Sequence, residues 1–117
     1  MAENSTPENW LMTLADASQR LESNRGPDTK PYEVMMRSMH IGLYAPRGKD
    51  PQQPHDQDEV YVVMQGSGEF LCGDNQRAFG SGDVLFVPAG LEHRFIDISD
   101  DFQVWVVFYG PEGGEIT

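Results

Sequence analysis

GDVLFVPAGLEH, residues 82–93, joins a short apolar run to a turn sequence and ends on a histidine. The apolar run, Val84–Val87, predicts a buried strand. Pro88 fits the second position of a type I turn, and Gly90 fits the fourth. We therefore expect the turn to place His93 at the start of the following strand.

The chain from Tyr32 onward repeats this alternation of short strands and turns. The strands are rich in β-branched and aromatic residues, and turn residues separate them at short intervals: Pro46-Arg47-Gly48, Gly66-Ser67-Gly68, Gly73-Asp74-Asn75, Gly80-Ser81-Gly82 and Pro88-Ala89-Gly90. This pattern predicts an all-β sandwich or barrel.

A different pattern, helical rather than β, marks the N-terminal region. Thr6 as the N-cap and Pro7 at the first helical position predict a helix that ends near Asn24 to Pro27. Its apolar face consists of Trp10, Leu11, Leu14, Ala17 and Leu21. We therefore expect residues 1–30 to form an extension with one helix and residues 31–117 to form the β domain.

Two predicted strands are apolar on both faces. These are residues 60–64 (VYVVM) and residues 102–109 (FQVWVVFY). Each must be covered on both sides. The second sheet would cover one side, and the N-terminal helix or a second subunit would cover the other, so the sequence favours a homodimer.

Length, charge and cysteine content restrict the class of protein. The chain has 117 residues, a formal net charge of −11 and one cysteine, Cys72. The length fits one domain, and the acidity disfavours binding to nucleic acid or to anionic membranes. A single cysteine, the lack of a secretory leader and the lack of an apolar run of about 20 residues predict a soluble, cytoplasmic protein.

PHDQDE, residues 54–59, contains the other candidate ligands, His55 and Glu59. In a straight strand these two residues would be about 13 Å apart, at about 3.3 Å per residue, which is too far for one shared ion. If the polar segment 56–58 turns the chain instead, the two side chains can face each other.

These two segments resemble the two motifs of the cupin superfamily. The first motif has two histidines separated by one residue, then a glutamate after three residues and a glycine after six more. The sequence matches it with Gln53, His55, Glu59 and Gly66. Residues 82–93 match every fixed position of the second motif. The resemblance covers roughly residues 41–109 and implies a double-stranded β-helix, the cupin jelly-roll barrel.

The resemblance implies a metal site inside this barrel. His55, Glu59 and His93 would bind one divalent ion, and Gln53 stands where the family most often has its first histidine. Gln53 would either bind through its amide oxygen or leave a three-ligand site that is open to water. Two imidazoles and one carboxylate suit iron, manganese, nickel or zinc, and the residues do not choose among these.

Three kinds of function fit such a site. The leading hypothesis is a metal-dependent oxygenase that acts on a small organic molecule, with Tyr61 as a hydrogen-bond donor beside the ligands. The second is sugar isomerisation or epimerisation, which calls for a cation that binds phosphate. The available cations are Arg37, Arg47, Lys49 and Arg77. The third is a non-enzymatic protein that binds a small ligand or serves as a structural dimer.

Overall fold

The computed structural model describes residues 10–23, 35–36, 38–48 and 50–115. Its elements in chain order are α1 (Leu14–Ser23), β1 (Met35–Met36), β2 (Met39–Tyr44), β3 (Asp58–Gln65), β4 (Gly68–Cys72), β5 (Asn75–Phe79), β6 (Val84–Val87), β7 (His93–Ile96) and β8 (Gln103–Tyr109). The predicted all-β class with a short helix is confirmed for this part of the chain.

The strands form two antiparallel sheets that enclose the core. One sheet has the order β1-β2-β8-β3-β6, and the other has the order β5-β4-β7. Side chains from both sheets meet in one buried cluster: Tyr61, Val63, Phe70, Phe79, Val87, Phe95, Phe102, Val104, Val106 and Phe108. This is the predicted jelly-roll barrel, with an aromatic interior between the two sheets.

The helix α1 covers part of the outer face of the larger sheet. Its buried residues Ala17 and Leu21 pack with Leu43 of β2 in a second cluster, against which Met64 and Trp105 also pack. Strand β3 at Met64 and strand β8 at Trp105 are therefore covered on both faces, but Val62 of β3 is 36% exposed, so the predicted cover is only partial. No helix among the described residues is long and apolar enough to cross a membrane.

The predicted start of the helix was wrong. Thr13, not Thr6, caps the observed helix, since its hydroxyl oxygen accepts a hydrogen bond from the Asp16 amide at 3.0 Å. Trp10 and Leu11 precede the helix and are exposed. The proposed cap and stop signals at residues 6–7 and 24–27 lie outside the described residues.

Along β6 and at Val62 of β3, the outer face of the larger sheet is exposed to solvent. Val84 is 62% exposed and Phe86 is 52% exposed, so the prediction that the whole of β6 is buried was wrong. Only Val87 of this strand is fully buried, because the outward face of β6 lies beyond the part that α1 covers. A homodimer that covers this face stays a prediction.

Candidate metal centre

Three predicted ligands from separate parts of the chain meet at one end of the barrel. Glu59 lies at the start of β3 and His93 at the start of β7, while His55 belongs to the irregular segment that leads into β3. One ligand atom from each residue lies within 4.8 Å of the other two. The backbone bends at residues 56–57, which brings His55 back toward Glu59 as the straight-strand argument required.

The turn after β6 positions both histidines. The amide of Leu91 donates to the Pro88 carbonyl at 3.3 Å, and the amide of Gly90 donates to the His55 carbonyl at 2.8 Å. Pro88 is therefore the first residue of the turn, so the predicted turn register was one residue out. Gly90 is then third and has a φ of 80°, which fits the third position of a type II turn, where glycine is favoured.

Asp58 fastens this turn to the start of β3. One carboxylate oxygen accepts a hydrogen bond from the Ala89 amide at 2.9 Å, and the other accepts from the Glu115 amide at 2.8 Å. These two backbone hydrogen bonds hold the pKa of Asp58 below its ordinary value. Because Glu59 is the next residue, the same contacts fix the position of a metal-ligand candidate.

The carboxylate of Glu59 is buried without hydrogen bonds. The residue is 1% exposed, and among the described residues neither of its oxygens has a hydrogen-bond partner. Its Oε1 lies 3.0 Å from Nε2 of His93 and 3.9 Å from Nε2 of His55, but not in hydrogen-bonding geometry. A buried carboxylate of this kind is unfavourable unless a cation neutralises it.

The orientation of His93 leaves one ring nitrogen available to such a cation. Its Nδ1 lies 2.9 Å from the carbonyl oxygen of Leu91, which can only accept, so Nδ1 carries the proton. In the neutral ring, Nε2 then has its lone pair directed at Glu59. Burial lowers the pKa of His93, but contact with Glu59 and with the Leu91 carbonyl raises it by more. The pKa of His93 is therefore above its ordinary value.

The amide that reaches the cluster belongs to Gln52 and not to Gln53. Oε1 of Gln52 lies 3.1 Å from Nε2 of His55 and 3.2 Å from Nε2 of His93. Gln53 is exposed. Residues 50–57 form no regular strand, so the motif spacing does not by itself bring the Gln53 side chain beside His55. The sequence offered one signal that was missed, namely two consecutive glutamines.

The donor atoms fit a metal ion of ordinary bond lengths. Two ligands at about 2.1 Å from a common ion are separated by about 3.0 Å at a right angle and by about 3.4 Å in a tetrahedron. The His93 to Glu59 separation is 3.0 Å, and the His55 to Glu59 separation is 3.9 Å. Glu59 and His93 therefore already have the spacing of two ligands on one ion, whereas His55 would have to shift toward them, since the three atoms spread over as much as 4.8 Å.

Comparison with known proteins places this centre in a family. The sequence profile described as "Cupin domain" matches residues 40–109, which is more than half of the chain. The chain belongs to the cupin family. An uncharacterized protein of Streptomyces coelicolor is 41% identical over 96 residues, which cover 79% of this chain and 91% of that protein.

Two similar proteins with named activities match smaller parts of this chain. The acireductone dioxygenase of Rhodopseudomonas palustris is 47% identical over 45 residues, which cover 35% of this cupin and 27% of the enzyme. The crystal structure of the DMSP lyase DddQ from Ruegeria pomeroyi superposes with a TM-score of 0.55 and 31% identity, over 64% of this cupin and 40% of that chain. The matched region of this cupin therefore spans less than half the length of either enzyme.

Tyr61 lies directly behind the ligands of the cupin site. It is completely buried, and its hydroxyl donates a hydrogen bond to Oε1 of Gln52 at 2.7 Å. Burial, together with the negative charge of Glu59, raises the pKa of Tyr61 well above its ordinary value. The phenol is thus a hydrogen-bond donor, which is the role predicted for it, although its acceptor is Gln52.

Two cavities lie next to the cluster. One, of about 540 Å³, is lined by Gln52, Gln53, Arg94 and Phe95 among others. The second, of about 380 Å³, lies between β5 and β6 and is lined by Phe70, Cys72, Arg77, Phe79 and Leu85 among others. Phe70 also contacts the ring of His93, with 6.2 Å between ring centroids. Neither cavity is lined by His55, Glu59 or His93, and Gln52 and Phe70 are lining residues that also contact the histidines.

The cations considered for phosphate binding are dispersed. Arg47 is exposed and lies 3.8 Å from Glu22. Arg77 lines the smaller cavity, which none of the three candidate ligands lines. Arg37 and Lys49 lie outside the residues that the structure describes.

Proposed function

We propose that this cupin binds one divalent metal ion through His55, Glu59 and His93 and uses it in a dioxygen-dependent reaction on a small organic molecule. The observation that carries the proposal is the carboxylate of Glu59, which is buried and has no hydrogen-bond donor among the described residues. Its oxygen faces the imidazole nitrogens of both histidines. A divalent cation at that point would neutralise the charge and use all three donors.

The ligand set favours iron and dioxygen. Two imidazoles and one carboxylate are the protein ligands of many non-haem iron oxygenases, in which open coordination positions remain. Iron(II) bound there would supply the centre at which dioxygen and the substrate react. Similarity to the acireductone dioxygenase supports this choice.

Residues of the chain would control the surroundings of the reaction. The hydroxyl of Tyr61, whose pKa is raised, stays protonated and serves as a donor rather than as a base. The ring of Phe108 meets the ring of His55 edge-on at 4.9 Å, and Phe70 lies beside His93. These aromatic side chains would limit the access of water and favour a substrate with an apolar or planar part.

The first experiment tests the metal. The chain is purified without a chelating column or affinity tag and its metal content is measured, together with His55→Ala and Glu59→Ala. We expect close to one ion per chain in the parent and almost none in either variant. Gln53→Ala is the matched control and should keep its metal, because Gln53 is exposed. Equal metal in all four proteins would contradict the proposed site.

The second experiment separates oxygenase chemistry from chemistry without dioxygen. Similarity to the DMSP lyase favours a metal-dependent elimination as the second candidate. Iron-loaded protein is mixed with a panel of aromatic, thiol, sugar and sulfonium compounds in an oxygen electrode and, in parallel, under nitrogen. An oxygenase consumes dioxygen and stops under nitrogen, whereas a lyase or isomerase turns over equally in both. Metal binding without turnover would favour a ligand-binding protein.

A further inference from the structure

Asp50 forms a rigid anchor next to the proposed metal site. It is 5% exposed, and its carboxylate accepts hydrogen bonds from the Tyr44 hydroxyl at 2.5 Å and from the Phe95 amide at 2.8 Å. Tyr44 belongs to β2 in one sheet and Phe95 to β7 in the other. Asp50 is therefore held by both sheets of the barrel.

This anchor determines which way the amide of Gln52 points. Nε2 of Gln52 donates to Oδ2 of Asp50 at 2.6 Å. A carboxylate accepts hydrogen bonds and has none to donate, so the amino group of Gln52 must face Asp50. The carbonyl oxygen Oε1 must then face the opposite way, toward the imidazoles of His55 and His93.

The result is a group of electron-pair donors that face one another. Oε1 of Gln52 lies 3.2 Å from Nε2 of His93, and Oε1 of Glu59 lies 3.0 Å from the same nitrogen. Because Nδ1 of His93 is committed to the Leu91 carbonyl, Nε2 of the neutral ring has no proton to donate. With the ring neutral, these three electron-pair donors repel one another, and either a proton on Nε2 or a shared metal ion removes the repulsion.

We propose that Oε1 of Gln52 is a fourth protein ligand of the same ion and that Asp50 is the positioning residue that directs it there. The inference rests on the proposed metal site and adds a ligand that the motif positions do not contain. The separations of 3.1 and 3.2 Å from the two imidazole nitrogens match donors that share one ion at nearly right angles, which are separated by about 3.0 Å.

A fourth ligand changes what the centre can do. In a six-coordinate ion it leaves two open positions instead of three, enough for one monodentate substrate atom and one dioxygen, or for one bidentate substrate. An amide oxygen also shifts the donor set toward oxygen and therefore toward iron(II) or manganese(II) over softer ions. Gln52 also lines the 540 Å³ cavity, whereas His55, Glu59 and His93 do not.

Cobalt(II) titration with visible absorption spectroscopy tests the inference without turnover. The proteins are stripped with a chelator, and the energy and intensity of the cobalt d–d bands are recorded with the dissociation constant. We expect Gln52→Ala to change the band intensities and to weaken cobalt binding by about 10- to 100-fold. Gln53→Ala, the neighbouring exposed glutamine, should match the parent in both readouts.

Two further variants keep the result interpretable. Gln52→Asn retains an amide but is one carbon shorter, so it should lose the ligand and resemble Gln52→Ala. Asp50→Asn keeps the shape of the anchor but presents an amino group, so it should alter the cobalt bands by releasing the orientation of Gln52. If Asp50 had only a structural role, the unfolding midpoint would fall while the bands of the bound cobalt stayed unchanged.

The outcomes separate this inference from the proposed function. If the parent binds cobalt and Gln52→Ala gives the same bands and affinity, Gln52 is not a ligand, while the three-residue site stands. If Gln53→Ala changes as much as Gln52→Ala, the effect is not specific and the inference fails. If the parent takes up no cobalt, the metal site itself is wrong, and the inference fails with it.

Discussion

Asp50 and Glu59 are both buried carboxylates, and the barrel surrounds them in opposite ways. Asp50 accepts three hydrogen bonds, from Tyr44, Gln52 and Phe95. Glu59 accepts none from any described residue, although it is the more deeply buried of the two, at 1% exposed against 5%. Burial alone therefore does not separate these two carboxylates, whereas the supply of hydrogen-bond donors does.

The difference assigns a separate task to each carboxylate. The donors to Asp50 belong to the fold itself, so its carboxylate is satisfied without a bound ion. The neighbours of Glu59 are ring nitrogens and an amide oxygen, which a cation can bind. Gln52 links the two, since its amino group binds Asp50 and its oxygen faces the histidines near Glu59.

Removal of the satisfied carboxylate has the largest expected effect on stability. Asp50→Ala leaves the Phe95 amide, the Tyr44 hydroxyl and the Gln52 amide without their acceptor. We expect a loss of about 2–4 kcal/mol in the free energy of unfolding, measured with urea on metal-free protein. Glu112→Ala removes an exposed carboxylate and should change stability by less than about 0.5 kcal/mol. A similarly small change for Asp50→Ala would show that its hydrogen bonds contribute little.

Neutralisation of the unsatisfied carboxylate should have the opposite sign. At alkaline pH, where His93 has no proton to pair with the carboxylate, Glu59→Gln removes a buried charge but keeps its shape. We expect the metal-free variant to be more stable than the parent by about 1–2 kcal/mol.

Asp50→Asn is the matched control for this change of charge and should destabilise the protein, because its amino group faces three donors. A variant Glu59→Gln that is less stable than the metal-free parent would mean that the carboxylate already has adequate partners. If the prediction holds, addition of metal should stabilise the parent and leave the stability of Glu59→Gln almost unchanged.

The sequence predicted the barrel for physical reasons, whereas the three candidate ligands came from its resemblance to the cupin motifs. Turn residues and short strand patterns are local signals. The rise per residue of a strand was enough to show that His55 and Glu59 could not share an ion if the chain between them were straight. The choice between Gln52 and Gln53 could not be made in this way. It depends on the irregular segment 50–57, whose start is held by contacts of Asp50 with both sheets.

Two other features were also beyond a local pattern. The sequence predicted Thr6 as the helix cap, whereas the cap observed is Thr13. The exposure of Val84 and Phe86 follows from how far α1 extends across the sheet, which the apolar sequence of β6 does not record.

Asp58 extends the comparison to a third carboxylate, which is satisfied by backbone amides alone. Because its folded-state pKa is lowered from 3.8, its contribution to stability is present above that value and is lost as the pH falls through the folded pKa. Asp58→Asn cannot lose a charge in this range. We therefore expect the urea midpoint of the metal-free parent to fall more steeply below pH 3.8 than that of the variant.

The control is Asp56→Asn, at an exposed position two residues away, which should retain the pH dependence of the parent's urea midpoint. Equal slopes for parent and Asp58→Asn would mean that the two amides stabilise the charged and the neutral carboxyl equally, and Asp58 would then fasten the turn by its geometry alone.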